Sequence, residues 1–418
     1  MINEGEALDY AELDARARRV ARRLAARGVG AGDRVATTLP AGADFAALLH
    51  ALPKLGAVLV PVNTRLSAAE RRCVLEDVRP RLVVDDRLDG PEADVDLRIG
   101  VDPDGPQVVL YTSGTTSRPK PVTLTYRNNA ASAWASAWNV GVAPDDRWLC
   151  VLPVFHVGGL QILIRSAVYG TAAILHERYD AEAVARSLSS GEATLVSLVA
   201  TMLQRLREAG LARAPSLRAA LIGGGPVPRR LLKWAQQIGL PAIQTYGMTE
   251  TASQVATLAV DEALTKAGSA GRALPGVELR TEGGEILVRG PMVSGGALSE
   301  DGWLHTGDRG RLEDGYLYVE GRIKDVIVTG GENVAAPEVE EALLAHPGVR
   351  DAAVVGRPDA EWGEVVAAYV VANGTSDDEL RDHCRARLAG YKVPKQIHRV
   401  DEIPRTASGK ALKGLLGR

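Results

Sequence analysis

Residues 111–120 read YTSGTTSRPK. Thr112, Ser113, Thr115, Thr116 and Ser117 offer hydroxyls, Gly114 lets the backbone approach a ligand closely, and Lys120 adds a compact cation. Hydroxyls, backbone N–H groups and a lysine together suit a polyphosphate. In isolation, a solvated Ser/Thr-rich turn would read the same way. GGGP (223–226) presents almost bare backbone against which a flat ligand could lie; alone it would be a tight strand-to-helix turn. YGMTET (246–251) supplies the aromatic face of Tyr246, the hydroxyls of Thr249 and Thr251, and the carboxylate of Glu250. Magnesium takes one or two carboxylates together with substrate phosphates, so Glu250 is a candidate ligand; the plain alternative is a helix-start acid. WLHTGDRG (303–310) holds Asp308 between glycines, where it could accept from ribose hydroxyls or simply form an Asx turn. GRIKD (321–325) and RTASGKAL (405–412) add Arg322, Lys324 and Lys410.

The elements that must position these residues follow from periodicity. Leu13, Ala17, Val20 and Leu24 make one face of a helix that ends at Gly28 and Gly30. RVATTLP, ADFAALLHALPKLG and AVLVPVN then read strand, helix, strand, the alternation of α/β layers with a largely parallel sheet. QVVLY and PVTLTY (121–126) read as strands on either side of YTSGTTSRPK. A Walker loop needs GxxxxGK[ST] followed by a helix; neither spacing nor context fits, so Walker NTPase chemistry is excluded. RAALIGGG is a strand running into glycines, VPRRLLKWAQQIG a helix, and VELRTEGGEILVRG a hairpin on a Gly-Gly turn. After about Lys324 the pattern restarts as helix, strand, strand, helix. The expected division is 1–321 for a large multi-sheet α/β domain and 322–418 for a small α+β domain, joined by a short hinge at Arg322–Asp325.

With 418 residues the chain is too long for one ordinary core. A net charge of -3 without charge runs gives no reason to expect nucleic acid as a partner. The three cysteines, Cys73, Cys150 and Cys384, form no CxxC pair and no disulfide framework. The first residues lack an apolar signal core, and no apolar run reaches the ~20 residues of a membrane span. These features predict a cytoplasmic protein with small-molecule partners, and leave a homo-oligomer open.

Read together, YTSGTTSRPK, GGGP, YGMTET, WLHTGD, GRIKDVIVTGGENV and PRTASGK occur in that order over nearly the whole chain. The sequence strongly resembles the adenylate-forming superfamily of acyl- and aryl-CoA ligases, peptide-synthetase adenylation domains and luciferases. DRWLCVLPVFHVGGLQILIRSAVYG, LIGGGPVP and YGMTETASQVATL are most similar to the o-succinylbenzoate–CoA ligases of menaquinone biosynthesis. That resemblance implies an acid–thiol ligase using ATP, coenzyme A and Mg²⁺ through an acyl-adenylate, with the small domain mobile.

Position by position, the resemblance implies that Thr112, Ser113, Gly114, Thr115, Thr116 and Lys120 hold the β- and γ-phosphates. Gly223, Gly224, Gly225, Tyr246 and Gly247 frame the nucleotide, and Asp308 and Arg322 hold the ribose. Thr249 contacts the α-phosphate and Glu250 the magnesium. Lys410 bridges the acyl carboxylate and α-phosphate. Lys324 is the hinge about which the small domain turns, after which Gly330, Gly331 and Glu332 help form the coenzyme A tunnel. His156 matches a gate between the acyl and coenzyme A sites; a satisfied core histidine is its alternative.

o-Succinylbenzoate keeps a second carboxylate that needs a donor inside an apolar pocket. Arg165, in an otherwise apolar helix after His156, is the expected donor, directly or through water; the alternative is a guanidinium that snorkels to the surface. Gln254 and Thr257 are further polar candidates. Ser117 and Pro121 stand where the superfamily usually has Gly, which predicts a stiffer phosphate loop with one fewer N–H donor. The segment 291–303 is shorter than the superfamily norm. Competing readings are a ligase for another aryl or acyl acid, an adenylation enzyme loading a carrier protein, and a non-catalytic nucleotide-binding module. The absence of a carrier domain after Lys410 and the retention of Lys120, Glu250 and Lys410 speak against the last two.

Overall fold

The computed structural model describes residues 1–3, 6–112, 119–406 and 409–416. Ser113, Gly114, Thr115, Thr116 and Ser117 of the phosphate-loop expectation therefore lie outside the described residues, and of Lys324 only the backbone is described.

The chain is mixed α/β, with its sheets sharing the work unequally. Among the described residues a five-stranded sheet runs Leu82–Val84, Arg34–Thr37, Val58–Pro61, Pro106–Thr112, Lys120–Thr125. Its first four strands are parallel and the last is an antiparallel edge. Tyr10–Ala26 covers this region as predicted, burying Leu13, Ala17, Val20, Ala21 and Leu24. Asp9 and Glu12 close its start with a capping box, worth about 1 kcal/mol.

One local expectation shifts. Tyr126 does not end a strand but opens the helix Tyr126–Val140. The cause is local: Asn128 N–H donates to Thr125 Oγ1 at 3.1 Å, while Thr125 N–H donates to Asn128 Oδ1 at 3.0 Å. Pro121 lies within the strand Lys120–Thr125, as the reading of PVTLTY as a strand expects. That strand is an edge, where a missing N–H is tolerated.

Among the described residues a 13-stranded sheet forms the body. Ala172–Leu175, Arg147–Cys150, Leu195–Val199, Ala219–Gly223 and Ala242–Met248 are mutually parallel neighbours. Beyond Ala242–Met248 every pairing is antiparallel, through Ser253–Thr257, Gly271–Ala273, Tyr316–Arg322, Leu304–Glu313 and the hairpin Glu278–Glu282/Glu285–Arg289. The largely parallel sheet expected from the alternation is the five-stranded one, whereas only about half of this larger sheet is parallel. Ala242–Met248 is where parallel gives way to antiparallel, and a short turn, Thr249–Thr251, follows it in place of a returning helix.

The last sheet contains Val326–Thr329, Glu332–Ala335, Val349–Asp359, Gly363–Ala372 and Gln396–Arg399. Ala336–Leu344 and Asp377–Arg385 pack on it, and Val339, Leu343, Val354, Val366, Val370 and Leu380 fill the core between. Between the large and last sheets lies only the short turn Ile323–Asp325, which carries Lys324. Among the described residues no helix is long and apolar enough to cross a membrane.

Candidate active site

Asp308 and Arg322 are register partners on the antiparallel strands Leu304–Glu313 and Tyr316–Arg322. Pairing sets their side chains together: Arg322 Nε lies 2.9 Å from Asp308 Oδ1. Arg322 Nη1 also donates to Thr306 O at 2.8 Å, and Asp308 N–H donates to Thr306 Oγ1 at 3.0 Å. From the other side, the Tyr246 hydroxyl donates to Asp308 Oδ2 at 2.7 Å. Burial pushes the Asp308 carboxyl upward, while Arg322, Tyr246 and Lys410 each pull it back down. Burial, then the Asp308 charge, raises Tyr246 well above the usual phenol range, so it is a hydroxyl donor and not an anion. Tyr246, Asp308, Arg322 and Lys410, which are far apart in sequence, thus belong to one electrostatic group.

Tyr246 stands near the C-terminal end of Ala242–Met248, beside Gly223 at the end of the parallel strand Ala219–Gly223. A Cβ on Gly223 would lie 3.3 Å from Thr245 Cγ2, so the strand end is closely packed there, while Gly224 takes φ 78 and Gly225 is open. Gly247 has no alternative: a Cβ there would sit 1.6 Å from Ser253 O. The chain approaches itself so closely because Thr249–Thr251 forms a tight 3₁₀ turn. Met248 N–H donates to the Thr251 hydroxyl at 3.1 Å, and that hydroxyl reaches Ser253 O at 2.9 Å. Ala252 and Ser253 then take φ 48 and 102, a strained left-handed pair of the sort found at ligand sites. The turn presents Thr249 and Glu250. Among the described residues no hydrogen bond or ion pair engages the Glu250 carboxylate, and its backbone carbonyl accepts from Ser294 N–H at 2.8 Å. Among those residues no group of three or more His, Cys, Asp or Glu could hold a metal.

Lys410 reaches this place from the last sheet. Its N–H donates to Thr406 Oγ1 at 3.1 Å. Gly409, at φ 79, rests against the parallel-strand end Val199 and against Thr201; a Cβ there would meet Val199 Cγ2 at 2.9 Å. Thr112 and Lys120 are cross-strand partners at the mouth of the phosphate-loop hairpin. Gly330 and Gly331, at φ 59 and 84, turn the hairpin that continues into Glu332, and the Trp362 ring covers Gly330.

The residues expected to meet the acid divide into two groups. Gln254 Nε2 donates to Thr245 Oγ1 at 3.2 Å, and Thr245 and Thr257 hydroxyls lie 2.9 Å apart. Gln254 Oε1 is buried and has no partner among the described residues. Arg165 is only 2% exposed, so it does not snorkel. It lies on Val157–Tyr169, where Nη2 donates to Ser132 Oγ at 3.1 Å and the guanidinium lies 5.7 Å from the Trp148 ring centroid. Ser132 in turn donates to Ala252 O at 2.6 Å, in the strained turn. Among the described residues Arg165 has no carboxylate partner, its Nε is unpaired, and no hydrogen bond joins it to Gln254 or Thr257. An uncompensated buried guanidinium is costly and favours an incoming anion. His156 precedes the same helix, with its ring centroid 4.7 Å from that of Phe155 and its Nε2 buried without a partner among the described residues. Burial, helped by Arg65, lowers it to about 4, so it is neutral at physiological pH.

Thr245, Ser132, Thr306 and Thr201 were not singled out from sequence. Thr245 and Thr306 stand within two residues of Tyr246 and Asp308, a weak signal. Ser132 and Thr201 sit on helices whose facing is decided by packing.

The matched assembly belongs to a nucleotide-dependent class. The chain is a member of the AMP-binding enzyme family, which matches residues 1–99 and 90–298, and the AMP-binding enzyme C-terminal domain matches residues 338–410. It is 40% identical to a 2-succinylbenzoate–CoA ligase of Bacillus cereus, over 98% of this chain and 93% of that protein. It superposes on the o-succinylbenzoate CoA synthetase of Bacillus subtilis in complex with the acyl-adenylate intermediate OSB-AMP with a TM-score of 0.94. The two are 38% identical, and the superposition covers 100% of this chain and 94% of the other. A double mutant of that synthetase bound with its product analogue OSB-NCoA gives a TM-score of 0.75 at 39% identity, covering 100% and 95%.

Proposed function

We propose that this protein joins 2-succinylbenzoate to coenzyme A at the expense of ATP, in menaquinone biosynthesis. The reading is carried by the 0.94 superposition, at 38% identity, on a synthetase holding an acyl-adenylate. The Asp308–Arg322–Tyr246 group and the Lys410 loop supply a chemically suited site. In the first half-reaction an oxygen of the substrate carboxylate attacks the α-phosphorus, and the bond to the β-phosphate oxygen breaks, releasing pyrophosphate. In the second the coenzyme A thiol, losing its proton, attacks the acyl carbon and AMP leaves.

Asp308 accepts from the ribose hydroxyls with Arg322 beside it; Gly223–Gly225, Tyr246 and Gly247 bound the base. Thr249 meets the α-phosphate. Lys410 neutralises charge between the acyl oxygen and the α-phosphate, where positioning and fixed charge lower the barrier. Thr112–Thr116 and Lys120 take the terminal phosphates. Among the described residues the Glu250 carboxylate is unengaged and has no cage of other acids, which fits a magnesium ion that one carboxylate and the nucleotide's own oxygens would hold. When bound, that ion neutralises phosphate charge. Arg165 meets the second carboxylate of the acid, with Gln254 and Thr257 as polar neighbours, and His156 lies between the acid and the thiol path. Gly330, Gly331 and Glu332 border that path.

The unit binding ATP and acid is taken as 1–321 and the lid carrying Lys410 as 322–418, with Lys324 at the hinge. Supporting this, the chain leaves the large sheet at Arg322 and enters the last one at Val326. The three thiols, Cys73 exposed and Cys150 and Cys384 buried, fit a reducing cytoplasm.

The test is pyrophosphate release over a panel of carboxylic acids, with and without coenzyme A. Release that depends on 2-succinylbenzoate, followed by thioester formation with free coenzyme A, is the expected result. Preference for a different acid, or transfer only to a carrier protein, would replace the reading.

A further inference from the structure

Arg230 opens the helix Arg229–Gln237, which follows the Gly223–Gly225 turn. Its side chain crosses to the last sheet. Nη1 donates to Val349 O at 2.9 Å and Nη2 to Arg350 O at 3.2 Å, both on the strand Val349–Asp359. The next residue on that strand, Asp351, holds Arg405 by a forked pair: Nη2 to Oδ1 at 2.6 Å and Nε to Oδ2 at 3.3 Å. Arg405 Nη1 then donates to Gly409 O at 2.8 Å. Gly409 is the residue seated against Val199 and Thr201, and Lys410 follows it. A continuous set of charge-assisted contacts therefore runs from the helix Arg229–Gln237, through the edge strand Val349–Asp359 of the last sheet, to the loop of Lys410.

We propose that Arg230 is a positioning residue, a latch that holds Val349–Asp359 where Arg405 can seat Gly409 against Val199 and Thr201, and so serves adenylate formation alone. This rests on the reading that Lys410 acts in the first half-reaction. The geometry suits a latch more than a permanent weld. The contacts are two side-chain donors on backbone carbonyls, directional but few, and the Arg230 side chain is only partly buried. Such a contact biases an equilibrium between two placements without locking it. Structures of one relative that superpose on this chain with TM-scores of 0.94 and 0.75 differ in overall arrangement, and this chain has the arrangement of the adenylate complex.

The test compares Arg230→Met, which keeps the bulk and removes the donors, with Arg230→Lys, which can reach one carbonyl. Each is measured in acid-dependent pyrophosphate release, in thioester formation from preformed acyl-adenylate and coenzyme A, and in amide hydrogen exchange of residues 405–412 in the free protein. For Arg230→Met we expect release slowed about tenfold, thioester formation unchanged or faster, and exchange of 405–412 raised, with Arg230→Lys intermediate. Equal losses in both half-reactions, or unaltered release with unaltered exchange, would overturn the latch. If the unmodified protein fails to release pyrophosphate with 2-succinylbenzoate, the functional reading fails, while hydrogen exchange still decides the latch.

Discussion

Asp308 and Arg322 face each other across two antiparallel strands, their side chains 2.9 Å apart, and the Tyr246 hydroxyl completes the carboxylate's shell at 2.7 Å. The carboxylate is thus held still and buried by its own neighbours, so in the proposed role it would offer a ribose an acceptor that needs no reorganisation.

Replacing Asp308 by Asn removes the charge that Arg322 and Tyr246 hold. Hydrogen bonds to charged groups contribute about 1.5–3 kcal/mol, so ATP affinity should fall by roughly tenfold to a hundredfold. Tyr246→Phe, which removes one bond and leaves the ion pair, should cost less. Titration calorimetry with ATP decides; unchanged affinity in Asp308→Asn would remove Asp308 from the nucleotide site.

Lys410→Ala should abolish pyrophosphate release while sparing thioester formation from preformed adenylate. A variant that loses both steps would show that Lys410 is needed for more than the first.

Arg165 gives a split between stability and turnover. Arg165→Met removes a buried charge that has no carboxylate partner among the described residues, so the free protein should melt no lower than the parent. Turnover of 2-succinylbenzoate should fall about a hundredfold, against little change with benzoate. Equal losses with both acids would leave Arg165 as a support for the Ala252 turn through Ser132.

His156 should appear in the pH dependence of folding. Its native value of about 4 lies below the ordinary 6.5 because burial opposes the charged ring. Between those values the unfolded chain binds the extra proton, so the stability this residue contributes is present above 6.5 and is lost as pH falls towards 4. Melting curves of the parent should therefore decline more steeply across that window than those of His156→Gln. Superimposable profiles would contradict the burial.

Gly247→Ala should be among the most damaging single changes. Its methyl would lie on Ser253 O, a backbone atom that cannot rotate away. A loss of about 3 kcal/mol or more is expected in denaturant unfolding, and a loss under 1 kcal/mol would mean that the turn yields.

The chemical groups and their order along the chain were legible in the sequence alone. Glycines, hydroxyls, Asp308, Glu250 and Lys410 stand in motifs whose residue types suit phosphate, ribose and metal chemistry. The strand on each side of YTSGTTSRPK was readable because alternation is a local pattern, and the same alternation excluded a Walker loop. Local pattern also misled: the Thr125–Asn128 capping box turned Tyr126 into a helix residue against its alternating neighbours. Only the tertiary structure decided which side chains meet. The pairing of Asp308 with Arg322 depends on strand register, the burial of Arg165 on how Val157–Tyr169 packs over Trp148, and the seat of Lys410 on contacts from Arg230 and Arg405. Register and packing are sums over many distant partners, so no short stretch of sequence encodes them.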